Sequence, residues 1–154
     1  MSIDHQDDTQ ELDHVEAESR IQAFRYQKPD EFSSGKASVR LCNSDVLMGL
    51  VQVVRDGGEN NLHYHKTNDG FWLVLGGRAK FYGPGDVELG EFGRHEGIMI
   101  PRGARYWFER VGEEDLEILR VGGSADLAAK NSGRTDLSKQ KFIVGSTERF
   151  DGRR

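Results

Sequence analysis

The chain has 154 residues, 36% of them hydrophobic and 31% charged, with a net charge of −5. That length supports one domain around a single core. The acidic balance and the lack of a basic run argue against a nucleic-acid partner, and no stretch is long and apolar enough to span a bilayer. Nineteen glycines against three prolines imply many tight turns, which suits short antiparallel strands better than long helices. Cys42 is the sole cysteine, so no disulfide framework exists within the chain, and a cytoplasmic setting is expected.

In chain order, residues 1–19 are polar and acidic and read as a flexible arm without the basic and apolar regions of a signal peptide. His5 and His14 lie there among carboxylates, as solvated side chains. The body of the protein is expected over 20–123. Ile21, Phe24 and Tyr26 supply a short docking segment before Pro29. Strands are predicted at Ala37–Cys42 and Val46–Val54, separated by turn residues. A histidine-bearing strand and a polar hairpin follow, and then the apolar strand Phe71–Leu75. Gly76–Gly77 marks a bend or bulge before a strand at Arg78–Tyr82. Further strands are predicted at Val87–Phe92, Gly97–Ile100, Arg105–Arg110 and Leu116–Val121, each bounded by turn signals. From 124 to 154 the pattern fades. Ala125–Lys130 reads as a helical turn, and Phe142–Val144 as a segment that pairs onto the body or onto a partner subunit. Eight or nine short strands without a long amphipathic helix call for an all-β sandwich or small barrel, and a double-sheet jelly roll fits best.

The stretch carrying chemistry is GGENNLHYHKTNDGFWLVLGG, residues 57–77. Side chains alternate along a strand, so His63 and His65 share one face and Tyr64 takes the other. Two imidazoles on one face can close on a single ion or a single substrate. Alternation also gives Tyr106 and Phe108 a common face, with Trp107 opposite, and pairs Trp72 with Val74.

With these residues in place the sequence resembles the cupin superfamily over roughly residues 45–121. Gly57, His63 and His65 match the start of the first motif, G-x5-H-x-H-x(3,4)-E-x6-G. Pro101 and Gly103 match the centre of the second, G-x5-P-x-G-x2-H-x3-N, with Tyr106 at its histidine, Arg110 at its asparagine and His95 at its leading glycine. The resemblance implies a double-stranded β-helix, or jelly-roll barrel, whose lumen holds a divalent metal on three histidines and a glutamate. This chain departs from that set twice. Tyr106 replaces the third histidine. The glutamate position is Asp69 if the motif ends at Gly76, and Gly70 if it ends at Gly77, the register that packs better.

Three functions follow. His63, His65 and Asp69 would hold a divalent ion (Fe, Zn, Mn or Ni) for a metal-dependent oxygenase or a related enzyme. A phenol, with an ordinary pKa of about 10, joins such a set only when a nearby charge lowers that value. Alternatively, a histidine base and Tyr106 as acid would serve a metal-free isomerase or epimerase, with Arg40, Arg78 and Arg105 as candidate ligand contacts. The third reading is a non-catalytic ligand-binding barrel. All three expect a small-molecule ligand and a homodimer, since barrel edges pair between chains.

Overall fold

A computed structural model describes residues 12–32, 35–56, 58–126, 133–137 and 147–154. Eleven strands are present among these: β1 (Lys36–Asn43), β2 (Leu47–Val54), β3 (Gly58–His65), β4 (Asn68–Gly76), β5 (Arg78–Tyr82), β6 (Glu88–Phe92), β7 (Gly97–Ile100), β8 (Tyr106–Val111), β9 (Leu116–Ser124), β10 (Arg134–Asp136) and β11 (Glu148–Asp151). They form two sheets, ordered β11-β1-β2-β9-β4-β7 and β10-β3-β8-β5-β6. The architecture is the expected all-β double-stranded β-helix, and the two sheets enclose one lumen.

The sequence pattern explains the layering. Leu116 and Ile118 of β9, Trp72 and Val74 of β4, Phe81 of β5, and Tyr106 and Phe108 of β8 are buried in one cluster between the sheets. Each such side chain contributes roughly 1.5–3 kcal/mol on leaving water. A second cluster, Val39, Leu41 and Val51, lies on the other face of β1 and β2, covered by Tyr26, Leu75 and Leu119. The chain before β1 thus docks through Tyr26, whose hydroxyl donates to Glu117 Oε1 at 2.6 Å. Ile21, expected to help, is 78% exposed.

The bend at Gly76–Gly77 is a bulge, where the β4–β9 register shifts between Val74 and Gly76. The N-terminal segment contains one short helix, α1 (His14–Ser19), capped by the Asp13 side chain and burying none of its residues. β10 and β11 are the two strands that the fading pattern did not suggest. They extend the sheets by pairing with β3 and, in parallel, with β1. The segments Ala125–Lys130 and Phe142–Val144 lie partly or wholly outside the described residues, as does His5. No described helix is long and apolar enough to cross a membrane.

Candidate functional site

β3 delivers both imidazoles to the lumen. His63 is 1% exposed and His65 4%, and their rings meet edge-on at 5.4 Å. The antiparallel β3–β8 ladder sets Tyr106 directly across from His63. Its ring, 1% exposed, lies 4.4 Å from that of His63 and 6.3 Å from that of His65. Trp107 points the other way, stacking on Tyr82 at 4.3 Å and donating to Asp86.

Two hydrogen bonds define the chemistry of the pair. His63 Nδ1 lies 2.6 Å from the Asn61 carbonyl oxygen. A carbonyl only accepts, so Nδ1 carries the proton and Nε2 of the neutral ring carries the lone pair. Trp72 Nε1 donates to the Tyr106 hydroxyl at 3.3 Å. The phenol oxygen is therefore held by a donor. An imidazole and a phenol stand in contact, shielded from water.

Asp69 and Gly70 settle on opposite faces of β4. Asp69 accepts from the Arg102 backbone N–H at 2.7 Å and from the Arg102 guanidinium at 2.9 Å, with its side chain 48% exposed. Gly70 takes the inward position. A Cβ built on it would lie 3.6 Å from Arg120 Nε and 3.7 Å from Arg120 Nη2. Where the motif would place a carboxylate, the chain thus has no side chain, and a guanidinium is its neighbour. Arg120 comes from β9 in register with Trp72, and its Cζ sits 5.4 Å over the indole ring.

These residues do not complete the divalent-metal centre implied by the motif. Two imidazoles fall short of the three protein donors that a catalytic metal site keeps. Asp69, expected as the oxygen donor, spends both carboxylate oxygens on Arg102. Among the described residues no group of three or more His, Cys, Asp or Glu comes together to hold an ion. The positive charge of Arg120 beside Gly70 opposes a second cation.

A cleft of about 430 Å³ lies over the inward-facing residues of β1 and β2, and its lining includes none of His63, His65, Tyr106 or Arg120. Leu50 and Gln52 of β2 line it, with Lys36 and Arg40 of β1, Arg149 of β11, and Arg134, the cross-strand partner of His65. Of the three arginines expected on the lumen face, Arg40 lines this cleft. Arg78 is exposed and paired with Glu91, and Arg105 is exposed. Trp72 and Arg120 were absent from the sequence-derived site.

No family model matches the chain. Mannose-1-phosphate guanylyltransferase of Escherichia coli is 33% identical over 66 residues, which is 43% of this chain and 13% of that enzyme's length. Solved structures are similar over much more of the chain. A Klebsiella pneumoniae protein with a double-stranded β-helix domain superposes with a TM-score of 0.57 at 16% identity, covering 74% of this chain and 92% of that one. An RmlC-like cupin protein from Desulfovibrio desulfuricans gives 0.52 at 16% identity, over 64% and 95%. The fold is that of a cupin. A Streptomyces protein solved with uridine superposes with a TM-score of 0.56 at 12% identity, over 73% of this chain and 85% of that one.

Proposed function

We propose that this cupin is a metal-free isomerase of a small α-hydroxy carbonyl compound of the sugar class, with His63 as base and Tyr106 as acid. The observation that carries the reading is the direct contact of the two rings, with the Nδ1 proton of His63 committed to Asn61. With ring centroids 4.4 Å apart, the two side chains lie against each other rather than across a substrate-sized gap. They therefore serve neighbouring atoms from one side, which suits moving a proton between adjacent carbons and disfavours inversion, where acid and base work from opposite faces.

In the forward step His63 Nε2 takes the proton from the hydroxyl-bearing carbon. That C–H electron pair becomes a carbon–carbon double bond, and the carbonyl oxygen takes the Tyr106 proton, giving a neutral enediol. In the return step the second hydroxyl gives its proton to the phenolate as its oxygen becomes the carbonyl. The former carbonyl carbon takes the proton back from the imidazolium, so both side chains end as they began. Trp72, donating to the phenol oxygen, stabilises the intervening phenolate. The sugar class agrees with the partial match to an enzyme named for a sugar phosphate.

The test is uptake of solvent deuterium at carbon in a panel of aldoses and ketoses, followed by proton NMR. Exchange that is lost in His63→Gln and in Tyr106→Phe supports the reading. Ligand binding with no exchange in any sugar leaves the ligand-binding barrel in its place. A homodimer in the cytoplasm belongs to the same proposal. Phe71 and Met99 stand side by side on the outer face of β4 and β7, 40% and 64% exposed, and a partner subunit would cover them.

A further inference from the structure

We infer that the substrate of this cupin is an anionic polyol, a sugar phosphate or a sugar acid, whose charged group is held by Arg120. The inference deepens the isomerase reading, on which it rests only for the position of the reacting carbons.

Arg120 is on the inward face of β9, in register with Leu50 on one side and Trp72 on the other. Its Nη2 reaches Asn68 Oδ1 at 3.4 Å, but its Nε is fully buried with no hydrogen-bond partner among the described residues. A guanidinium N–H removed from water without an acceptor is costly, so such donors in native proteins are expected to have a purpose. The missing side chain at Gly70 keeps a carboxylate of the protein itself away from this fork. The guanidinium is planar and presents parallel donors that match carboxylate and phosphate oxygens.

The surroundings carry the same charge. Across the lumen face, Arg40, Leu50, Arg120 and Trp72 follow one another on adjacent strands. At about 4.8 Å per strand, Arg40 is two strands from Arg120 and lies at the cleft. The cleft lining holds five cationic side chains (Lys36, Arg40, Arg134, Arg149 and Arg153) against one carboxylate, Asp151, which is bonded to Arg153, while Arg134 pairs with Asp136 just outside the lining. That concentration of positive charge stands out in a chain whose net charge is −5, and a cleft of one sign focuses its field on an incoming anion. Gln52 Oε1, buried on the cleft wall without a hydrogen-bond partner among the described residues, supplies an acceptor for a ligand hydroxyl. An anion-binding fork, a cationic approach and a hydroxyl acceptor together specify a charged, hydroxylated ligand.

Isothermal titration of the full chain with sorbitol, sorbitol 6-phosphate and gluconate tests this. At least one of the two anions is expected to bind about tenfold or more tighter than neutral sorbitol, as a charge-assisted hydrogen bond predicts. The tighter of the two identifies phosphate or carboxylate as the natural group. Arg120→Gln should erase the preference, and so should Gly70→Glu, which sets a carboxylate beside the guanidinium. Should either variant fail to fold, wild-type affinity for the anion must still fall several-fold between low and physiological salt. Equal affinity for sorbitol and both anions, no anion binding at millimolar concentration, or full anion affinity in a folded Arg120→Gln overturns the inference. Anion binding that survives Tyr106→Phe while no sugar exchanges deuterium sinks the isomerase reading alone. Exchange on neutral sugars without anion preference sinks this one alone.

Discussion

His63 and Tyr106 face each other across the β3–β8 ladder with their rings 4.4 Å apart, both all but sealed from water. Burial obliges an imidazole to find a hydrogen-bond partner, and the partner fixes its tautomer. Here the Asn61 carbonyl holds the Nδ1 proton, which leaves the lone pair of the neutral ring on Nε2. The phenol is fixed in turn through Trp72. Indole, phenol and imidazole form one contiguous polar path inside an otherwise apolar cluster.

The Trp72 link gives the first prediction. Trp72→Phe keeps an aromatic ring against Phe108, 4.9 Å away, but removes the N–H that holds the Tyr106 hydroxyl. Loss of one hydrogen bond to the developing phenolate should slow deuterium exchange about tenfold, equivalent to about 1.4 kcal/mol. KM should change little, since the indole acts on Tyr106 and not on substrate. Steady-state kinetics of the variant would check this, and an unchanged kcat would remove Trp72 from the mechanism.

Chelation is the second. With Asp69 bound to Arg102 and Gly70 in the inward position, two imidazoles are left to hold an ion. Protein dialysed against a strong chelator should keep its melting temperature and its exchange activity. Asp69→Asn should cost no more than about 1 kcal/mol, the scale of an exposed ion pair, and should leave metal content unchanged. Near-stoichiometric metal in untagged protein, together with a melting temperature that falls on chelation, would reinstate the metal centre.

Much of this site is legible from the order of residues, and the exceptions have physical reasons. Alternation alone puts His63 with His65 and separates Tyr106 from Trp107, because the period of a strand is two whatever it packs against. Asp69 is different: a one-residue choice of register moves a side chain to the other face of the sheet, and only the β4–β9 pairing decides it. Arg120 shares a face with Leu116 and Ile118, both buried, so its inward direction was available from alternation. A single charge in a strand more often faces solvent, which weakens that signal. Its closeness to Trp72 depends on a cross-strand register that no local pattern encodes. β10 and β11 are three and four residues long at sheet edges. Pairing partners, rather than periodicity, make them strands.

Gly77 and Gly85 give a paired prediction about the frame that holds the site. Gly77 has φ +75, and a Cβ there would lie 2.5 Å from the Asp115 carbonyl oxygen and 3.0 Å from Leu116 Cα. Both neighbours are backbone and cannot rotate away. Gly85 has φ +71 with nothing within 4 Å of its Cβ position. Gly85→Ala should therefore show only the left-handed penalty, about 1–2 kcal/mol. Gly77→Ala adds a clash at the bend between β4 and β5 and should lose distinctly more. Urea unfolding of the two variants decides it, and equal losses would mean that the bend relaxes freely.

The same turn carries a pH-dependent clasp. Asp115 accepts from Arg55 Nε at 3.2 Å and Nη2 at 2.9 Å, and Lys28 Nζ lies 3.0 Å away, tying the segment before β1 to the β8–β9 turn. The Arg55 hydrogen bonds, helped by Lys28, hold the Asp115 carboxyl below the usual carboxylate range. A group whose pKa is lower in the folded state binds its proton more readily when unfolded. Its stabilisation is therefore complete above the unfolded value, about 3.9, and is lost as pH falls through the lower folded value. Asp115→Asn should destabilise the protein by about 1 kcal/mol near neutrality, the upper end for a pair that is partly exposed. That deficit should hold constant down to about pH 5 and shrink below pH 4, as the wild-type carboxylate is protonated and the two proteins converge. Thermal melts of both proteins from pH 7 to pH 3 would trace the difference. A gap that widens on acidification would reverse the sign and show that the Arg55–Asp115 contact does not stabilise the fold.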